Sequence, residues 1–371
     1  MSTPQPLDRR PDSLVFDALA TFVPAWGPSG REGAVREAIV HWLAAHAPGV
    51  QIVRVDALGN LITRVAPAAG APATDDRAPR LLLAAHMDEI GCIATHVDGA
   101  GFVRFNAVGG LPIADLVGTR VRFADGVEGT VGIEASARKA QPAPAPTLDA
   151  LYIDVGASSR EDCPVRVGDA ATYGGGLTLL AGGRRAIAHN MDNRAGCAAV
   201  AEALRRISLA PGAAEVWGVF TVQEEIGLRG ARTVGFGVPA DVALAVDITG
   251  SGDLPGGPPL ALALGQGAAI KICDGGMISH RGVVAWLTEL AGRHGIPSQP
   301  EVLPGGTTDA AALQVSGAGV PSGAVSIPTR HAHRPGQIID LGDLEATAAL
   351  LAAAGVAGAG PLAGTWYTPQ D

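Results

Sequence analysis

Two adjacent carboxylates, Glu224 and Glu225, follow an apolar run that extends from Val216 to Val222. Such a run predicts a buried strand that leads into a functional loop. Two like charges side by side repel each other, so the pair is tolerable if a bound cation neutralises one carboxylate while the other moves protons. A solvated acidic turn is the alternative, and the remaining acidic residues and histidines of the chain decide between the two.

Residue types that bind metals stand at comparable places elsewhere in the chain. The run from 80 to 85 predicts a strand buried on both faces, and it ends in His86, with Asp88 two residues further on. Taken alone, a His-x-Asp pair favours a capped or hydrogen-bonded structural histidine, and its place at the end of a buried strand is what favours metal binding. Asp192 precedes a helix predicted from Cys197 to Ile207, where a helix cap is the competing interpretation. One further predicted strand ends in Asp247, and another, Gly323 to Ile327, leads into the segment that contains His333.

Together these residues form the ligand set of two zinc-like divalent cations that share one carboxylate. In an open α/β sheet, the groups at the carboxyl ends of the strands lie close together. Two cations about 3.5 to 4 Å apart would lower the pKa of a water between them and polarise a carbonyl. Glu224 fits as the proton carrier because it stands next to a ligand and is not itself needed as one. The ligand set comprises His86, His333, Asp192, Glu225 and Asp247.

The order of the predicted elements favours an α/β fold with an insertion. Alternating helices and buried strands predict a mixed, mostly parallel sheet flanked by helices. From about 98 to 187 the pattern changes to short alternating segments separated by glycine turns, which predicts a small β-barrel. We therefore predict a catalytic α/β domain of residues 1–97 and 188–371 and an inserted β-rich domain of residues 98–187.

Composition and charge limit the partners of the chain. Its 371 residues suffice for two domains, and 47% hydrophobic residues with 17% charged residues are typical of a globular protein. The formal net charge of −9 argues against nucleic acid or an anionic membrane surface as a partner. The sequence contains neither the pattern of a signal peptide nor an apolar stretch long enough to span a membrane. Four widely spaced cysteines without a C-x-x-C motif complete the prediction of a cytoplasmic protein with reduced thiols.

Seven motifs extend the candidate residues into longer patterns that follow one another along nearly the whole chain. They are AAHMDEIG, LYIDVGASSRED, MDNRAG, TVQEEIGLRGA, AVDITGSGD, GGTTDAAA and SIPTRHAH. With these motifs the sequence resembles the tetrahedral aminopeptidase family of co-catalytic metallopeptidases. That family includes glutamyl and deblocking aminopeptidases, and its members are sometimes labelled cellulase M or endoglucanase.

The resemblance implies a zinc-exopeptidase-like fold and a role for each candidate residue. Glu224 would be the general base, and Asp88 would orient His86. The cofactors would be two divalent metal ions per subunit, zinc first, with cobalt or manganese as alternatives. The inserted domain would serve dimer contacts in a homo-oligomer, either a dimer or a hollow dodecamer. One metal would be held by His86, the bridging Asp192 and Asp247, and the other by Asp192, Glu225 and His333.

The chain departs from the family pattern at two positions near the ligands. Relatives usually carry an aromatic residue where this chain has His331, so that His331 and His333 are both candidate ligands; the position in the motif favours His333. The carboxylate often found after the bridging aspartate is Asn193 here, which leaves the bridge itself intact.

Three other functions compete with an aminopeptidase. Deacylases and carboxypeptidases with a related catalytic domain use a similar ligand set, but their extra domain falls between later ligands. A glycosidase would place two carboxylates around a sugar, usually with aromatic platforms, and this chain has only 4% aromatic residues. A non-catalytic assembly protein should have lost a ligand or Glu224, and none is missing. We therefore predict a di-metal aminopeptidase that removes N-terminal residues from short peptides with a free N-terminus.

Overall fold

The structure is a computed structural model that describes residues 13–71, 77–135, 146–212 and 214–358. Its α-helices are α1 (Leu14–Phe22), α2 (Gly33–His46), α3 (Met191–Leu209), α4 (Arg229–Gly237), α5 (Arg281–His294), α6 (Asp309–Gln314) and α7 (Leu341–Ala357). Its first nine strands are β1 (Gln51–Val55), β2 (Leu61–Val65), β3 (Arg80–His86), β4 (Gly91–Val97), β5 (Val103–Val108), β6 (Arg120–Phe123), β7 (Glu128–Ile133), β8 (Leu151–Asp154) and β9 (Ala170–Tyr173). They are followed by β10 (Thr178–Leu179), β11 (Arg185–Ala188), β12 (Glu215–Thr221), β13 (Val242–Gly250), β14 (Ala268–Cys273), β15 (Ser298–Val302), β16 (Ser322–Arg330) and β17 (Gln337–Asp340).

Within the described residues, 11 strands form one mixed sheet with a parallel centre. The strand order is β1-β2-β12-β3-β13-β16-β17-β11-β10, and β14 joins this path by pairing with β16 and β15. Strand β3 pairs in parallel with β12 on one side and β13 on the other, and β13 pairs in parallel with β16. These four strands therefore point their carboxyl ends to the same edge of the sheet.

Helices cover both faces of this sheet because its central strands are apolar on both faces. In β3, Leu81, Leu83 and Ala85 belong to a core that also contains the buried residues of α3 and α7. The alternate residues Leu82 and Ala84 pack on the opposite face with residues of α4 and α6. Side chains of a strand alternate between faces, so the continuous apolar run of β3 supplies both cores.

The insertion after β3 folds as a closed six-stranded barrel with the strand order β4-β5-β8-β7-β6-β9. The strand pairs within it are antiparallel. Inward-facing residues such as Val103, Phe105, Val121 and Ile153 form a core separate from that of the sheet. Closure leaves the barrel without unpaired strand edges.

The predicted fold class, a mixed sheet flanked by helices with an inserted β-barrel, is confirmed. The predicted division into 1–97 with 188–371 and 98–187 remains a prediction; the barrel strands run from Gly91 to Tyr173. One local expectation is wrong: β13 does not end at Asp247 but continues to Gly250. No helix in the described ranges has the length and apolarity needed to cross a membrane.

Candidate metal centre

The sheet and α3 bring the candidate ligands to one place. His86 is the last residue of β3, and Glu225 lies four residues beyond the end of β12. Asp247 projects from within β13, and His333 lies three residues beyond β16. Asp192 is the second residue of α3, where its φ of −78° and ψ of 102° are not helical. The carboxyl ends of parallel strands are the edge at which α/β proteins bind ligands, and these residues gather there.

Asp192 is shared between two triads of possible metal ligands. Its Oδ1 lies 3.1 Å from His86 Nε2, and that nitrogen lies 3.5 Å from Asp247 Oδ1. Its Oδ2 lies 3.1 Å from His333 Nε2, which is 3.5 Å from Glu225 Oε1. In each triad the ligand atoms all lie within 4.8 Å of one another. One carboxylate with an oxygen in each triad has the arrangement of a bridging ligand. His331 is exposed and belongs to neither triad.

Both histidines direct Nε2 into the centre because a backbone carbonyl holds Nδ1. His86 Nδ1 lies 3.0 Å from the carbonyl oxygen of Asp88, and His333 Nδ1 lies 3.0 Å from that of Gly110. A carbonyl oxygen only accepts hydrogen bonds, so Nδ1 must be the donor in each pair. In a neutral imidazole the lone pair is then on Nε2, as a metal ligand requires.

The carboxylate of Asp88 holds the loop that carries the two adjacent glutamates. It accepts hydrogen bonds from the backbone N–H of Glu224 at 2.9 Å, from that of Glu225 at 3.2 Å and from Ser29 Oγ at 2.6 Å. Burial raises the pKa of Asp88, but the hydrogen bond and charge of His86 and these donors lower it further, and the net shift is downward. Asp88 thus orients His86 with its carbonyl and the glutamate loop with its side chain.

The site concentrates more buried negative charge than its histidines can balance. Burial raises the pKa of Glu224 well above its usual range, and the neighbouring acids Asp247, Asp309 and Glu225 raise it further. Burial and the charge of Asp192 raise the pKa of Glu225 to about 8. The pKa of Asp192 is lowered instead, because hydrogen bonds from His333 and His86 outweigh the effect of burial.

These residues fit divalent cations. Glu225 Oε1 is buried and has no hydrogen-bond partner among the described residues, although His333 Nε2 is close. Imidazole nitrogen and carboxylate oxygen are the donors that zinc and similar ions take. A pair of cations would neutralise the crowded carboxylates, and this unpartnered oxygen would then be a ligand of one of them.

The centre opens into a cleft of about 640 Å³ whose wall contains residues that sequence reasoning did not single out. Lys271 is buried in this wall and lies 2.5 Å from Glu301 Oε1. Asp309 is buried behind the site, accepts a hydrogen bond from Thr221 Oγ1, and has a pKa that burial raises to about 7. Asp309 lies within the motif GGTTDAAA, and this was the feature of the sequence that could have indicated its place near the site.

Comparison with known proteins gives a consistent result. The family described as M42 glutamyl aminopeptidase matches residues 69–350. A protein of Acetivibrio thermocellus with a provisional aminopeptidase name is 39% identical over 339 residues, which are 91% of this chain and 97% of that protein. The structure of aminopeptidase APDkam598 from the archaeon Desulfurococcus kamchatkensis is 35% identical, with a TM-score of 0.83 and coverage of 91% and 93% of the two chains. The TET1 peptidase of Pyrococcus horikoshii, described as assembling into a tetrahedron or a large octahedral shell, is 30% identical, with a TM-score of 0.78 and coverage of 91% and 98%.

Proposed function

Because the chain belongs to the M42 glutamyl aminopeptidase family, and is therefore an aminopeptidase of a metallopeptidase family, we propose that it works with two divalent cations and with Glu224 as general base. The observation that carries this proposal is the sharing of Asp192 between two triads beside a carboxylate that belongs to neither. The resemblance expected from the motifs is confirmed by the same comparisons.

Each cation would have its own ligands in addition to the shared aspartate. His86 and Asp247 would complete one site with Asp192, and Glu225 and His333 would complete the other. When bound, the two ions supply Lewis acidity, which lowers the pKa of water and polarises the scissile carbonyl. We propose zinc as the ion, with cobalt or manganese as alternatives that the same donors accept.

Glu224 is suited to carry the proton because it is close to the ligands without being one. Its Oε2 lies 3.9 Å from His86 Nε2, and Asp88 fixes its backbone N–H. Burial raises its pKa, so that its carboxylate holds a proton more firmly than an exposed glutamate would. Glu224 would accept a proton from the attacking water and deliver it to the nitrogen of the leaving amine.

The proposed substrates are short peptides with a free N-terminus. The cleft of about 640 Å³ is of the size that holds a small ligand, and the second cation or the acids beside it would hold the free α-amine. We further propose a cytoplasmic homo-oligomer in which the barrel contributes dimer contacts. The relative described as a tetrahedron supports a homo-oligomer but leaves the choice between dimer and dodecamer to experiment.

The test is hydrolysis of paired substrates before and after metal removal. A panel of aminoacyl amides with free amines would be assayed beside the same amides carrying an N-acetyl group. The purified protein would be dialysed against chelator and refilled with zinc, cobalt or manganese. We expect cleavage of the free-amine series only, lost with chelator and restored by metal.

Two outcomes would contradict the proposal in different ways. Cleavage of the acetylated series alone would make the protein a deacylase on the same centre. Undiminished cleavage after complete removal of the metal would exclude the proposed role of the cations.

A further inference from the structure

The barrel contacts the loop of His333 at three points. The carbonyl oxygen of Gly110, in the loop after β5, lies 3.0 Å from His333 Nδ1. Tyr173 at the end of β9 donates its hydroxyl proton to the carbonyl oxygen of His333 at 3.3 Å. Arg334 Nε donates to Asp115 Oδ2 at 2.8 Å. The side chain, the backbone and the next residue of this ligand are therefore all held by the inserted domain.

The two triads differ in what orients their histidine. His86, at the end of β3, is held by the carbonyl of Asp88, two residues further along the chain. His333 is held from the barrel, by a residue far away in sequence. Its own backbone has a φ of +61°, which a residue with a side chain seldom adopts, so its loop depends on outside contacts for its conformation.

We propose that Gly110 is a positioning residue for the second triad, formed by Asp192, Glu225 and His333. Its carbonyl fixes the tautomer and the ring plane of His333, and its missing side chain leaves space for the ring. A Cβ at this position would lie 2.6 Å from His333 Nδ1 and 2.7 Å from Cε1, closer than such atoms approach in proteins. The barrel thus takes part in building the metal centre, in addition to any contact it makes between subunits.

The neighbouring Gly109 reinforces the same close approach. Its φ is +75°, and a Cβ there would lie 3.1 Å from Glu225 Cβ and 2.9 Å from Ile90 Cγ2. The glycine pair brings the backbone of the barrel against two of the three ligands of the second triad. The first triad receives no such contact from this pair, so a disturbance at 110 should act on one triad and spare the other.

The test replaces one hydrogen by a methyl group and counts metal ions. In Gly110→Ala the methyl group must displace the His333 ring, whereas in the control Gly176→Ala a Cβ meets no atom of the described chain within 4 Å. Neither glycine has a positive φ, so alanine is compatible with both backbones. Metal-free samples of wild type and both variants would be titrated with zinc by equilibrium dialysis, and their thermal unfolding would be compared without metal.

We expect the wild type and Gly176→Ala to bind two ions. Gly110→Ala should keep one ion at wild-type affinity and bind the other about 10- to 100-fold more weakly, as happens when a group that orients a metal ligand is lost. Its metal-free form should unfold at nearly the same temperature as that of the wild type. Excess zinc should restore turnover in Gly110→Ala but should not be needed by the control.

This inference rests on the proposed two-ion site, and the experiment separates the two. A wild type that binds fewer than two ions would refute the proposed function and remove the basis of the inference. If the wild type binds two ions, unchanged affinity in Gly110→Ala, or equal weakening of both ions, would overturn the role of Gly110 alone. Should Gly110→Ala fail to fold, Tyr173→Phe replaces it, because it removes only the hydrogen bond to the His333 carbonyl. Unchanged affinity for both ions in Tyr173→Phe would overturn the claim that the barrel takes part in building the second triad.

Discussion

Glu224 and Glu225 are neighbours in sequence but face different parts of the centre. Glu225 belongs to the second triad, whereas Glu224 lies outside both. Gln223, which precedes both glutamates, has a left-handed φ of +54°. The Asp88 carboxylate accepts hydrogen bonds from the backbone N–H groups of both glutamates and so fixes the direction of each side chain. One aspartate therefore allows two adjacent acids to have separate roles.

Replacing each glutamate by glutamine should give two distinct defects. In Glu224→Gln the proton carrier is lost, so we expect kcat to fall by about 10²- to 10⁴-fold while two ions remain bound. The matched control Glu225→Gln removes a charged ligand, so it should lose one ion as well as activity. Steady-state kinetics and metal analysis of the same preparations distinguish them. Near-normal kcat in Glu224→Gln would show that another group carries the proton.

Among the elements of the fold, one strand is packed so closely that it requires a glycine, whereas a helix has space for a side chain at one of its glycines. Gly218 in β12 lies under α3, and a Cβ there would be 2.3 Å from Leu204 Cδ1 and 2.7 Å from Thr63 Oγ1. Gly292 lies on the exposed side of α5, and a Cβ there meets no described atom within 4 Å. The same substitution should therefore have opposite effects at the two positions.

We expect Gly218→Ala to lower the free energy of unfolding by about 1–3 kcal/mol because the core must move to admit the methyl group. Gly292→Ala should raise it by about 0.5–1 kcal/mol, since alanine loses less backbone entropy in a helix. Chemical denaturation of the two variants beside the wild type at equal protein concentration measures both. Two shifts of the same sign would contradict this account of the packing.

The strands that carry ligands were predictable because burial on both faces demands a continuous apolar run. Strands β14 and β15 were not predicted, because a charged residue in each interrupts the apolar pattern. Lys271 of β14 and Glu301 of β15 are directly paired in register, are both buried and form an ion pair. A sequence pattern scores each as a surface residue, and only the pairing of the strands shows that they neutralise each other.

The ligands of the centre could be anticipated from residue type, but their orienting groups could not. His86, Asp192 and Glu225 are of residue types that bind metals, and their shared placement at strand ends and before a helix favoured that role. The carbonyl oxygens of Asp88 and Gly110 belong to the backbone, which every residue has, so residue type does not distinguish them. For His333, the carbonyl that meets the imidazole also depends on how the barrel is seated against the sheet.

On the scale of the whole molecule, the barrel and the α/β domain are joined by polar contacts as well as by the chain. Trp26 Nε1 donates to the carbonyl of Arg122 at 3.2 Å, and Arg122 Nη2 donates to the carbonyl of Pro24 at 3.2 Å. With the contacts of Gly110 and Tyr173, these bonds fix the barrel over the rim of the cleft. Gly110 of the barrel lines the cleft beside residues of the α/β domain, so both parts of the chain contribute to its wall.

Thiol labelling should report whether both parts are packed as described. Cys92 in the barrel and Cys197 in α3 are buried, and burial raises the pKa of each to about 12. At pH 8 on the order of one in ten thousand of these thiols is ionised, and the thiolate is the reactive form. We expect iodoacetamide to modify Cys163 and Cys273, which are partly exposed, and to leave the other two untouched.

Peptide mass spectrometry after brief labelling at pH 8 identifies the modified positions. The control is labelling in denaturant, where all four thiols should react. Rapid modification of Cys197 in the native protein would mean that α3 is not packed against the sheet as the structure has it.

The central position of β3 has a consequence for the order in which a nascent chain can fold. Its neighbours β12 and β13 are made by the ribosome only after the whole barrel has been synthesised. The barrel strands pair with one another, so the barrel can close before the strands that pair with β3 have been synthesised. Until then the apolar side chains of β3 are unburied. Such a delay exposes an apolar strand to non-native pairing and aggregation during synthesis. A barrel that is already folded holds its first and last strands, β4 and β9, side by side, and so brings the two chain segments that flank it together before the sheet is complete.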